Sequence, residues 1–126
     1  MKKIRVLVAD DCDEVRKNFV EMLRKISCIH IVGECNDGSE LIGFLNKNRV
    51  DVIYMDILVK KVDAFDIMEP IKERFPYIKV FNFSSIEGCE LEKTMRKYGS
   101  DGFISKYTTD EKVVISKLKS VGFKLD

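Results

Sequence analysis

Short apolar runs alternate with segments of helical period five times along this chain, and few folds accept that order. Ile4-Arg5-Val6-Leu7-Val8-Ala9 is nearly all apolar, the pattern of a strand covered on both faces. Val15, Phe19, Met22, Leu23 and Ile26 then recur on one face of a helix. The pattern repeats: Ile29 to Val32 as a strand, then a helix over Leu41, Ile42 and Leu45 after the Asp37-Gly38 turn. Val50 to Met55 predicts the third strand, and Phe65, Met68, Ile71 and Phe75 the third helix, ended near Pro76. Val80 to Phe83 and Leu91, Met95 and Tyr98 form the fourth pair. Gly102 to Ser105 is the fifth strand, and Thr108-Thr109-Asp110-Glu111 predicts a capping box opening a helix with Val114, Leu118 and Val121 inward. Alternation of this kind predicts an α/β fold: a parallel sheet with right-handed crossovers and helices on both faces.

With 126 residues the chain is predicted to be one domain, 1–126, with a core over about 3–121 and a tail or linker start at 122–126. The 22 basic residues nearly cancel the 21 acidic ones, so the net charge of +1 gives no broad footprint for nucleic acid or an anionic membrane. No apolar run approaches the roughly 20 residues of a membrane helix. Cys12, Cys28, Cys35 and Cys89 include no CxxC pair, and His30 is the single histidine, which argues against zinc. The cysteine usage and the absence of a signal-peptide pattern predict a reduced, cytoplasmic protein.

In a parallel α/β sheet, ligands bind beyond the carboxyl ends of the strands. The predicted strand ends bring together Asp10 and Asp11, Asp56, Ser84 and Ser85, and Lys106. Three adjacent carboxylates repel one another unless a cation neutralises them. Hard oxygen ligands suit Mg²⁺, and a lysine suits a phosphoryl oxygen. Phosphoryl transfer needs little beyond an in-line nucleophile, a metal and a positive clamp, and an aspartate can be the nucleophile. Taken singly, Asp10 and Asp11 read as helix-capping residues, Lys106 as a solvated cation and Ser84 as a loop hydroxyl; their convergence favours acyl-phosphate chemistry.

The order and spacing of these pieces resemble the receiver domain of two-component response regulators. The matching stretches are Val6 to Asp11, Val32 to Gly38, Asp51 to Ile57, Pro76 to Val80 ahead of Ser84-Ser85, and Gly99 to Lys106. The resemblance implies a flavodoxin-like, doubly wound five-stranded sheet of order 2-1-3-4-5 with five helices in three layers. It implies Asp56 as phosphoacceptor, and Mg²⁺ (or Mn²⁺) held by Asp10, Asp11, Asp56 and the backbone carbonyl of Leu58. It implies Lys106 as the phosphate contact and Ser84 and Phe103 as switch residues for the face of the fourth helix, fifth strand and fifth helix. The implied partners are a sensor histidine kinase or phosphotransfer protein and a downstream protein or linked effector domain, with phosphorylation-dependent dimerisation. Neither membrane nor direct nucleic-acid binding is implied, and the role is signalling rather than enzymatic.

The chain departs from the family pattern at Val59-Lys60, at Asp63-Ala64 and at Tyr107, where a proline usually follows the lysine. Pro70 predicts a kink or late start of the third helix, and Asn82 needs a partner inside a central strand. Leu58 and Ile86, both apolar, predict a long-lived acyl phosphate. Two other readings compete. Asp11-Cys12-Asp13-Glu14-Val15 fits the pattern of haloacid-dehalogenase-like phosphatases, with Asp11 as nucleophile and Asp13 as acid/base. A degenerate receiver serving only as a binding module is the other.

Overall fold

The computed structural model describes residues 3–56, 64–84, 89–106 and 109–125. Five strands, β1 (Ile4–Ala9), β2 (Ile29–Cys35), β3 (Val52–Asp56), β4 (Lys79–Ser84) and β5 (Gly102–Ser105), alternate with five helices. These are α1 (Asp13–Arg24), α2 (Leu41–Lys47), α3 (Ala64–Arg74), α4 (Cys89–Lys97) and α5 (Glu111–Ser120). Hydrogen bonding orders the strands β2-β1-β3-β4-β5, all parallel, as the resemblance implied.

Alternate residues of each strand feed two cores. Leu7, Ile53, Met55 and Val80 pack with Leu41 and Leu45 of α2, Met68 and Ile71 of α3 and Met95 of α4. Val6, Val8, Tyr54, Phe81 and Phe83 pack with Val20 and Leu23 of α1 and Val114 and Leu118 of α5. This two-sided covering is why β1 and β3 read as nearly continuous apolar runs. Edge strand β2 is covered less completely, so its polar Glu34 is tolerated and the strand runs three residues past Val32.

Three local expectations are corrected or refined. Asp110, not Thr108, caps α5: its carboxylate accepts the Val113 N–H at 2.9 Å. An aspartate acceptor at the N-cap, three residues before the donor at the third helical position, closes that orphan donor directly. Pro70 lies well inside α3, which already runs from Ala64, so the helix has no late start there. Asn82 is fully buried, and its Nδ2 reaches the Met55 carbonyl at 3.4 Å while Oδ1 has no partner among the described residues. Leu58, Val59, Lys60, Asp63, Ser85, Ile86, Tyr107 and Thr108 lie outside the described residues.

Candidate phosphoacceptor site

At the end of β1 the chain must turn into α1. The Asp10 carboxylate accepts the Cys12 N–H at 2.9 Å, and its backbone N–H donates to the Cys35 carbonyl at 3.0 Å. Cys12 occupies the helix N-cap position and makes no side-chain cap. Asp10 is thereby fully buried and Asp11 is turned into solvent. Asp56 ends β3, nearly buried, beside them. One carboxylate oxygen from each of Asp10, Asp11 and Asp56 lies within 4.8 Å of the others.

Lys106 follows β5, with its backbone N–H held by the Ser84 carbonyl at 2.9 Å. Its Nζ stands 2.9 Å from Asp10 Oδ2 and 3.2 Å from Asp56 Oδ2. Burial pulls the ammonium pKa down, but hydrogen bonding to Asp10 and the Asp56 charge outweigh it, and the net shift is upward. The lysine is therefore a fixed cation. Phe83 lies beneath it, ring centroid 5.1 Å from Nζ, and Phe83 stacks on Phe19 of α1 at 4.8 Å. A cavity of about 370 Å³, lined by Val15, Phe19, Met22, Phe83 and Thr109, opens beside Lys106.

The donor set suits a small hard cation. Oxygens on opposite sides of one Mg²⁺ stand about 4.2 Å apart, since each bond is about 2.1 Å. The spread of the three carboxylates is close to that span. Asp10 Oδ2 is buried, and Lys106 Nζ stands 2.9 Å from it. Three carboxylates against one ammonium leave an excess negative charge that a divalent ion would offset.

The structure thus brings Asp10, Asp11, Asp56 and Lys106 together, and Ser84 ends the neighbouring strand, buried. Phe103 pairs in register with Asn82 and packs, half-buried, against the core on the α2–α4 side. The backbone carbonyl of Leu58 lies outside the described residues.

A comparison with protein families matches residues 6–118 to the response regulator receiver domain. The chain belongs to that family. Curated relatives of this receiver include a protein-glutamate methylesterase/protein-glutamine glutaminase of Pyrococcus abyssi, 30% identical over 94% of this chain and 32% of its own length. The response regulator protein VraR of Staphylococcus saprophyticus is 34% identical over 84% of this chain and 51% of its length. The receiver thus spans about a third to a half of these relatives. Among solved structures, the signal receiver domain of a NarL response regulator from Mycobacterium tuberculosis superposes with a TM-score of 0.87 at 22% identity, over 98% of this chain and 100% of that one.

One residue beside the receiver site escaped the sequence reading. Arg16 of α1 is buried, and its guanidinium donates to three oxygens: the Asp10 carbonyl at 2.6 Å, Asp13 Oδ1 at 2.7 Å and Glu34 Oε1 at 3.1 Å. It ties the turn carrying Asp10 and Asp11 to β2. Burial lowers the guanidinium pKa, but the bonds to Asp13 and Glu34 outweigh it and the net shift is upward. A charged residue on a helix reads as solvated; only its place one turn after the acidic pair could have flagged it.

Proposed function

We propose that this receiver takes a phosphoryl group on Asp56 in a Mg²⁺-dependent reaction. The observation that carries the reading is the convergence of three carboxylates on one fixed lysine at the carboxyl edge of the sheet. Asp10, Asp11 and Asp56, with the Leu58 carbonyl as a further ligand, would hold the ion. When bound, the ion supplies charge neutralisation for the incoming phosphoryl oxygens. One Asp56 carboxylate oxygen attacks the phosphorus. The bond from phosphorus to the donor breaks and the donor leaves with its electron pair. Lys106, already 3.2 Å from Asp56, then shifts its charge to the new phosphoryl oxygens.

The donor in this reading is the phosphohistidine of a sensor kinase or phosphotransfer protein, approaching beside Lys106 and the cavity floored by Phe19 and Phe83. The Ser84 hydroxyl closes on the modified Asp56. Phe103 repacks against the α2–α4 core and changes the face of α4, β5 and α5. A downstream protein, an appended effector domain or a second copy reads that face. The chemistry is self-phosphorylation and its reversal, in the cytoplasm, with no direct nucleic-acid binding by this domain. Among the described residues no helix is long and apolar enough to cross a membrane.

The phosphatase alternative loses support at Asp13. Its carboxylate is bound to Arg16, and that bond holds its pKa below the usual range, the wrong direction for a general acid. The degenerate-receiver reading loses support because the acids and lysine needed for transfer are assembled.

Incubation with labelled acetyl phosphate and Mg²⁺ tests the proposal. Wild type is expected to incorporate label, Asp56→Asn none, and EDTA abolishes incorporation. Equal labelling of Asp56→Asn, or label recovered on Asp11, overturns it.

A further inference from the structure

The end of the sheet opposite Asp56 is basic. Helices antiparallel to the strands end there, and their last turns carry Arg24, Lys47, Arg74, Arg96 and Lys119. That much has an ordinary cause, because cations offset the partial negative charge of helix C-termini. It does not account for Lys3, Arg5 and Arg49, which belong to no helix. These three cations line a cavity of about 680 Å³ together with His30, Asp51 and Phe123.

The cavity is held in shape by its own residues. Asp51, its single acid, accepts the Arg5 backbone N–H at 2.9 Å, and its other oxygen lies 3.8 Å from Arg49 Nε. Arg5 Nε donates to the Arg49 carbonyl at 2.8 Å, which ties the guanidinium to the cavity wall. The Arg49 guanidinium rests 5.2 Å from the Tyr77 ring centroid, and Tyr77 is half exposed. Among the described residues neither Lys3 nor Arg5 pairs its side chain with a carboxylate. One acid, already held by the Arg5 backbone N–H, therefore faces three basic side chains.

We propose that this cavity binds a small phosphorylated ligand carrying a di- or triphosphate group. Two guanidinium forks and an ammonium around one concavity match closely spaced phosphate charges, which arginine binds in bidentate fashion. Phe123 adds an aromatic side chain to the lining, which suits a base or other flat apolar moiety. The volume falls in the range of small-molecule sites. A concave site on a chain of near-zero net charge favours a compact anion over a nucleic-acid strand, which needs an extended basic track. The site uses none of the residues around Asp56.

Isothermal titration of the whole chain in EDTA, with inorganic pyrophosphate, ADP and a single-stranded oligonucleotide in separate runs, tests the inference. EDTA leaves the acidic end without its cation, so that end repels these probes. Saturable binding of pyrophosphate and ADP is expected, weakened about tenfold or more in Arg49→Gln and to a smaller degree in Lys3→Gln. Both residues are exposed, and a melting curve on each variant keeps loss of fold separate from loss of binding. Tighter binding of ADP than of pyrophosphate identifies a nucleotide as the source of the phosphate chemistry; equal affinity identifies the phosphate group itself. No saturable binding of either, binding unchanged in Arg49→Gln, or binding of the oligonucleotide alone overturns the proposal.

Discussion

At the carboxyl edge of the sheet, three carboxylates and one ammonium meet with Asp10 fully buried and the Lys106 side chain 13% exposed. At the opposite edge Lys3, Arg5 and Arg49 surround one carboxylate, and the Arg49 side chain is 69% exposed. Each end gathers an excess of one sign. Burial makes the difference. Removed from water, Asp10, Asp56 and Lys106 act strongly on one another and on any ion, and their geometry needs support from behind. The basic charges remain screened, so they can attract a ligand while contributing little to folding. A cation should therefore move the stability of the first end far more than a substitution moves that of the second.

The largest contrast is expected from the metal itself. Mg²⁺ binding only the folded state stabilises it by mass action, about 4.1 kcal/mol when the ion is a thousandfold above its dissociation constant. The melting temperature should rise on adding Mg²⁺ and fall back with EDTA. Asp11→Asn should erase that rise. The same melts of Arg49→Gln should show it in full. A Mg²⁺ response that survives in Asp11→Asn would show that the carboxyl edge is not the cation site.

Arg16→Met comes next, with a loss of about 3 kcal/mol read from urea unfolding. Three charge-assisted bonds disappear, and the buried Asp10 carbonyl loses its donor. The loss is no larger because Asp13 and Glu34 reach solvent and can rehydrate. A loss below about 0.5 kcal/mol, the range of ordinary surface changes, would show that the turn holds its shape without the arginine.

The acidic end was legible in the sequence because its parts sit at strand ends, and strand ends follow from apolar runs. Asp10, Asp56 and Lys106 needed only the alternation from Ile4 to Ser105 to be placed together. Arg16 was not legible, since its burial depends on Glu34, eighteen residues away on β2, coming into reach. The end of β2 was misjudged for a related reason: Gly33 and Glu34 interrupt the apolar run, yet an edge strand with a partly open face accepts them. The α5 cap shifted because Asp110 competes with Thr108 for the same orphan donors, and spacing alone does not rank them. The basic cavity was hidden by the near-cancelling charge totals, which carry no information about which end of the fold each residue occupies.

A third test concerns Cys35, whose carbonyl holds Asp10 in place. Burial, then the charge of Glu40, pushes its thiol from 9.0 up to about 11. The folded state thus keeps the proton that the unfolded chain releases. The sign follows: this contribution is complete below pH 9, declines as pH rises, and is gone above about 11. It amounts to at most about 3 kcal/mol over that window. Cys35→Ala should be less stable at neutral pH from lost packing, and its alkaline limb should be shallower than that of wild type between those values. Parallel limbs would mean that the thiol ionises as readily in the folded protein as in the unfolded chain.

The smallest expected effect sharpens the contrast most directly. Arg49→Gln should change unfolding free energy by no more than about 0.5 kcal/mol in the absence of ligand. Its ion pair with Asp51 is long, at 3.8 Å, and solvent-screened, and its contact with the Tyr77 ring is exposed. Asp51 keeps its bond to the Arg5 backbone N–H in the variant, so no buried acceptor is orphaned. Urea melts at low and high salt should then differ little between variant and wild type. A loss of 2 kcal/mol would place Arg49 among the residues that hold the fold together, as Arg16 does at the other end, and would remove the distinction in burial from which the two ends derive their different roles.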